Sequence, residues 1–266
     1  MKLISNEIYD STFRTVEKLG LGYYLFDPEK DDLPICDMLM MESCSNPHGK
    51  IIDGKKLHNY PGLKIIDNSW LSVSYNAYIK LHADVVVESA TKYMSGGKVI
   101  MGIATGSKKH MAPINDLKII MGVHISPFDC WLMCDSLKTL KLRLEKSERE
   151  TKKFLKFVEK DDRILSVFHP RASYHTNLKE ERRKMMPSVL TLYTKYSVDS
   201  FFKFIPKIEK IKLATSYGKK ENLIDPWALK YSEDPNNATI RFAIGYGGGA
   251  IKAFKELLDL LESNCE

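Results

Sequence analysis

The sequence has no apolar run near the roughly 18 residues that cross a bilayer, so a membrane role has no support. Its first residues, Met1-Lys2-Leu3-Ile4-Ser5-Asn6-Glu7, lack the apolar core of a secretory signal. Cysteine is scarce: Cys36, Cys44, Cys130, Cys134 and Cys265 make an odd count of 5 without framework spacing. That excludes a disulfide scaffold and reads as free thiols in a reducing, cytoplasmic setting, with Cys130 and Cys134 as small buried side chains. Histidines stand singly, and neither a zinc-protease HExxH nor a nucleophile elbow occurs, so no metal site is expected. A dominant charge sign is missing too. Lys and Arg total 40 against 34 Asp and Glu, a net +6 spread along the chain, which argues against a nucleic-acid partner.

What is present is an ordinary globular composition over 266 residues, 44% hydrophobic and 28% charged. At roughly 150 residues per domain, this is one large domain or two modest ones. The pattern predicts helices at 10–20 and 72–81 and strands at 35–43, 63–67, 83–89 and about 98–105. Short apolar strands between helices imply an α/β fold, a mainly parallel sheet with helices on both faces. A long, charge-dressed helix is predicted from Pro127 to about residue 160. Beyond it, strands near 164–168, 189–193, 211–215 and 239–244 and helices near 198–205 and 249–262 suggest a smaller C-terminal α/β domain. The expected division is 1–140 and 141–266. The glycine run Gly245-Tyr246-Gly247-Gly248-Gly249 is expected to open a helix, since no strand with a ribose-binding acid follows it.

Parallel sheets place ligands at the carboxyl ends of their strands. One predicted strand ends in Asp67-Asn68-Ser69-Trp70 and the next in Ser89-Ala90-Thr91-Lys92-Tyr93. A carboxylate, an amine and two hydroxyls at neighbouring strand ends suit a cationic ring, a carbonyl and a phosphate. Pyridoxal phosphate carries all three: its aldehyde condenses with a lysine, and its ring nitrogen needs an acid partner. Spacing alone favours the plainer reading of Lys92 as a surface lysine and Asp67 as a turn or cap residue.

Eight collinear segments go further. They are Ile8-Tyr9-Asp10-Ser11-Thr12-Phe13, Glu42-Ser43-Cys44-Ser45-Asn46-Pro47, the two strand ends above, Ser126-Pro127-Phe128-Asp129, Leu137-Lys138-Thr139-Leu140, Ser216-Tyr217-Gly218 and Thr239-Ile240-Arg241. With them the chain resembles the trans-sulfuration enzymes of cysteine and methionine metabolism, which have the fold-type I pyridoxal-phosphate transferase fold. The resemblance implies that Lys92 holds the cofactor as a Schiff base and then shuttles the substrate proton. It implies that Asp67 pairs with the ring nitrogen and that Ser89 and Thr91 hold the phosphate. Tyr9 is implied to stack on the ring and assist cofactor exchange, and Asn46 to bond the ring hydroxyl. Arg241, with Ser216 beside it, is implied to clamp the substrate carboxylate.

Within that family, Asp67-Asn68-Ser69-Trp70 and the aromatic Tyr217 look most like cystathionine β-lyase. The expectation is therefore β-elimination from a small amino-acid substrate; the γ-synthase or γ-lyase reactions and a non-catalytic oligomerising relative are the alternatives. Family members also carry an upstream segment with a glycine-rich phosphate turn and an arm that reaches the neighbouring subunit. The chain is thus expected to be a C-terminal part that forms a homo-oligomer or pairs with a separate N-terminal fragment. Several positions depart from the family pattern. Gly96-Gly97-Lys98-Val99 replaces Gly-His-Ser-Asp, Asp135-Ser136 replaces Arg-Gly, Gly218-Lys219 replaces Gly-Gly, and the glycine run replaces an acidic turn.

Overall fold

Residues 2–29, 32–172, 182 and 185–264 are described by a computed structural model. The first sheet has the order β2-β1-β3-β4-β5-β6. Its strands are β1 (Lys2–Ser5), β2 (Tyr23–Phe26), β3 (Met38–Glu42), β4 (Leu63–Asp67), β5 (Val85–Ser89) and β6 (Gly102–Gly106). The first five run parallel, whereas β6 pairs with β5 antiparallel. The helices α1 (Asp10–Lys18), α2 (Gly54–His58) and α3 (Ala77–Lys80) lie between strands. Residues 72–81 form not one helix but a short 3-10 turn at Ser72–Ser74 followed by α3. Extended backbone at Tyr75 separates them, and the Asn76 side chain starts α3 afresh by accepting from the Ile79 N–H at 3.1 Å.

After β6 come α4 (Lys108–Ile120), α5 (Pro127–Leu137) and α6 (Leu140–Val158). The long helix expected from Pro127 is therefore two. The Ser136 carbonyl, which a continuous helix would use, instead accepts from Arg143 Nη2 at 2.9 Å and Thr139 Oγ1 at 3.2 Å. Cys130 and Cys134 are exposed, contrary to the expectation of burial, because α5 turns its Met133 and Ser136 face inward. Cys36 and Cys44 are buried free thiols; Cys265 lies outside the described residues.

The second sheet has the order β7-β8-β11-β10-β9. Its strands are β7 (Ile164–Phe168), β8 (Val189–Thr194), β9 (Ile211–Leu213), β10 (Asn222–Ile224) and β11 (Thr239–Ala243). The helices α7 (Val198–Phe204), α8 (Pro226–Lys230) and α9 (Ala250–Glu262) accompany it. Gly249, at φ 79°, opens α9 as the glycine run predicts.

Helix α6 serves both cores. Leu140 and Leu144 pack with Leu39, Met41 and Ile66 of the first sheet, while Phe154, Leu155 and Val158 pack with Leu190, Ile240 and Phe242 of the second. The Phe154 ring lies 4.9 Å from that of Phe242 and 5.3 Å from that of Phe254. This joint matters for function because it fixes β11 and the loop after β9 over the carboxyl ends of β3, β4 and β5. Among the described residues, no helix is long and apolar enough to cross a membrane.

Candidate active site

Parallel pairing sets the first two acids. In the β3–β4 register Glu42 stands opposite Asp67, and in β4–β5 Asp67 stands opposite Val87. Directly opposed residues of parallel strands share a face of the sheet, so Glu42 and Asp67 face the same cleft. Burial raises the Asp67 carboxyl above its ordinary range, opposed by hydrogen bonds from the Ser69 hydroxyl and backbone N–H. The Ser69 amide donates to Asp67 Oδ1 at 2.8 Å, and the Ser69 hydroxyl accepts from the Ser89 N–H at 2.7 Å. Ser69 thus locks the ends of β4 and β5 to each other. On the opposite face, Asn68 holds the turn: its Nδ2 donates to Ser72 O at 2.8 Å and Tyr75 O at 2.9 Å.

Lys92 lies in the turn that follows β5. Its backbone N–H donates to Ser89 O at 3.0 Å, and its carbonyl accepts from the Gly96 N–H at 2.9 Å. Helix α6 supports this turn through Arg143, whose guanidinium donates to the carbonyls of Tyr93 and Met94. The side chain reaches inward. Lys92 Nζ donates to Ser216 Oγ at 3.0 Å and lies 5.0 Å from the centre of the Tyr217 ring. Burial, helped by the positive charges of Arg241 and Lys219, pulls the amine down to about 8.

The loop carrying Ser216 needs close approach. Ser216 sits at φ 126° and Gly218 at φ 74°. A Cβ at Gly218 would lie 2.6 Å from the Tyr93 nitrogen and 2.8 Å from the Lys92 carbonyl carbon, so only glycine fits. A serine held at positive φ costs on the order of 1–3 kcal/mol, and such strain gathers at functional sites.

Arg241, the middle residue of β11, donates from Nη1 to Asn46 Oδ1 at 3.2 Å and pairs through Nη2 with the buried Asp225. Asp225 uses its other oxygen to cap α8, accepting from the Trp227 N–H at 2.9 Å. Asn46 precedes a cis bond to Pro47, whose carbonyl accepts from Thr191 Oγ1 at 2.7 Å. Tyr9 is the residue before α1; its N–H donates to Glu42 Oε1 at 2.8 Å, and its side chain is 57% exposed.

The sequence-derived residues thus fall into linked groups. Lys92 meets Ser216, Arg241 meets Asn46, Ser89 reaches Asp67 through Ser69, and Tyr9 reaches the same cleft wall through Glu42. Thr91 is turned elsewhere: its hydroxyl accepts from the Met101 N–H at 2.9 Å and faces Met101 O at 3.4 Å. Four contributors carry no role in the sequence reading, namely Glu42, Ser69, Arg143 and Asp225. Glu42 and Ser69 stand in quoted motifs without an assigned role, and Asp225 has the Asp-Pro start of a helix, a signal that says nothing of Arg241.

These donors fit pyridoxal phosphate. An amine held near neutrality can meet an aldehyde, a strand-end carboxyl can meet a ring nitrogen, and an arginine fork can meet a carboxylate.

The comparisons agree. A family profile described as Cys/Met metabolism PLP-dependent enzyme matches residues 3–246. The chain is 28% identical over 268 residues to cystathionine beta-lyase of Lactococcus lactis subsp. cremoris strain MG1363, covering 94% of this chain and 70% of that one. It is 29% identical to cystathionine gamma-lyase of Rattus norvegicus, covering 83% of this chain and 60% of that one. In fold it is similar to the crystal structure of cystathionine gamma synthase from Xanthomonas oryzae pv. oryzae, with a TM-score of 0.86 at 18% identity, covering 99% and 76%. It is also similar to that of cystathionine gamma-lyase from Lactobacillus plantarum, with a TM-score of 0.85 at 20% identity, covering 98% and 76%. The chain belongs to the pyridoxal-phosphate-dependent Cys/Met metabolism enzymes, the trans-sulfuration family, and pyridoxal phosphate is its cofactor.

Proposed function

We propose that the chain carries the catalytic centre of a carbon–sulfur lyase that performs β-elimination on cystathionine, with water as co-reactant, releasing homocysteine, pyruvate and ammonia. The observation that carries this reading is Lys92. It is a half-buried amine brought to about 8, held against Ser216 Oγ at 3.0 Å, in the turn that follows the strand next to the one ending in Asp67.

In this reading Lys92 holds the cofactor, Asp67 faces its ring nitrogen, Asn46 its ring hydroxyl and Tyr9 its ring face. Ser89 and Thr91 serve the phosphate, Thr91 only after its hydroxyl turns from Met101. When bound, the cofactor supplies an electron sink for the pair released at the substrate α-carbon. Arg241 binds the substrate carboxylate, and Asn46 and Asp225 keep its fork from rotating. Lys92 Nζ takes the α-proton and delivers it to the departing sulfur. Ser216 Oγ, accepting from Nζ at 3.0 Å, limits the freedom of the amine. The Tyr217 ring, edge-on to Trp70 at 6.3 Å and tilted to Tyr93 at 5.5 Å, lies 5.0 Å from the amine and shields it on one side.

The β-elimination preference is supported by Tyr217, the aromatic after the serine, and by the Lactococcus β-lyase among the relatives. The rat γ-lyase supports the second reading, γ-elimination to cysteine, 2-oxobutyrate and ammonia. Incubation with cystathionine separates the two. Pyruvate with homocysteine is the expected outcome, and 2-oxobutyrate with cysteine would establish the second. The homo-oligomer that the family resemblance implies is supported by α4 and α5, where Leu117, Ile120, Phe128 and Trp131 are exposed.

A pH dependence follows from Lys92. Only the free amine attacks an aldehyde, so cofactor uptake by the empty protein is expected to rise about tenfold per pH unit below about 8 and to level off above it. Stopped-flow absorbance across pH checks this; a plateau reached only near the ordinary lysine value would contradict it.

A further inference from the structure

Glu42 is the one carboxylate of the site for which the proposed chemistry has no use. It ends β3, is only 6% exposed, and stands directly opposite Asp67. Adjacent strands are about 4.8 Å apart, so the two acids are neighbours on one face. Glu42 Oε1 accepts from the Tyr9 N–H at 2.8 Å, while among the described residues Oε2 has no well-formed hydrogen bond, the Asn46 amide acting on the carboxyl only weakly. A buried carboxylate with a bare oxygen is costly, and a second carboxylate beside it makes the cost larger.

The charged and titratable groups around Glu42 are Asp67 on β4, Arg241 on β11, Cys44 two residues on, and Tyr217 in the loop after β9. Arg241 is committed to Asp225. Burial keeps the Cys44 thiol and the Tyr217 hydroxyl protonated. No unspent cation in this set remains to hold Glu42 ionised.

Resting on the pyridoxal-phosphate reading of Lys92, we propose that Glu42 is a positioning residue that works as a neutral carboxylic acid. It braces the backbone of Tyr9 and leaves Asp67 as the single carboxylate facing the cofactor ring. Burial first, and the charge of Asp67 second, favour the protonated form, against the pull of the Tyr9 and Asn46 amides and of Arg241.

The test uses Glu42→Gln and Glu42→Leu in the full chain, with two readouts that are independent of turnover. The first is affinity for pyridoxal phosphate, followed by its visible absorption. Glutamine keeps a neutral acceptor for Tyr9, so its affinity is expected within about twofold of wild type, whereas leucine should lose about tenfold. The second is thermal stability of the cofactor-free chains against pH. A carboxyl raised by folding loses stability as pH climbs from its unfolded value of 4.5 towards its folded one. The melting temperature of Glu42→Gln relative to wild type should therefore grow as pH climbs above the unfolded value of 4.5. If glutamine is as damaging as leucine, if leucine is harmless, or if the melting difference shrinks with pH, the proposal is overturned. A wild-type chain that forms no adduct at Lys92 overturns the underlying reading instead, and the role of Glu42 with it.

Discussion

Replacing Lys92 by alanine is expected to lower turnover by at least about four orders of magnitude and to abolish covalent retention of the cofactor. Two losses combine. The amine that would condense with the aldehyde is gone, and so is the base that would move the α-proton. Fold stability should change little, because what is removed is a half-buried ammonium that meets one hydroxyl and one aromatic ring and no carboxylate in direct contact. Circular dichroism and thermal melting check the fold, and steady-state assay checks the rate. Added methylamine should restore part of the activity, since a small amine can occupy the space of Nζ. A variant that keeps more than about a hundredth of wild-type turnover would show that proton transfer runs through another group.

Arg241→Lys is expected to raise KM for the amino-acid substrate about 30-fold with little change in the melting temperature. Lysine keeps the positive charge beside Asp225 but loses the fork that touches Asn46 and Asp225 at once. A carboxylate then meets a point charge instead of two parallel donors. Arg241→Leu should behave differently. It strands Asp225, which is buried and, among the described residues, has only the α8 cap as its other side-chain partner, at a cost of about 3–5 kcal/mol in folding. Kinetics of the lysine variant and denaturation of the leucine variant separate recognition from stability. Equal KM for wild type and Arg241→Lys would remove Arg241 from the substrate site.

The legible parts of the fold were those with strong local pattern. The strands at 63–67 and 164–168 and the helices at 198–204 and 250–262 announce themselves through apolar runs or helical periodicity between turn residues. β1, β2 and β10 do not, because each has only three or four residues and takes its stability from pairing partners distant in sequence. The break between α5 and α6 depends on Arg143 reaching back to Ser136, a competition that periodicity cannot register. The site divides the same way. Lys92, Asp67 and Arg241 stand in motifs dense enough to be read from the chain. Glu42 lies in a quoted motif yet shows its meaning only when register sets it against Asp67, and Asp225 only when β10 and β11 bring it to Arg241.

The central claim is that Lys92 is the amine that carries the cofactor. The most direct measurement is borohydride reduction of the purified chain after exposure to pyridoxal phosphate, followed by peptide mass mapping. The account predicts one stoichiometric pyridoxyl adduct, on the peptide containing Lys92. Labelling scattered over surface lysines, with Lys92 unmodified, would contradict it.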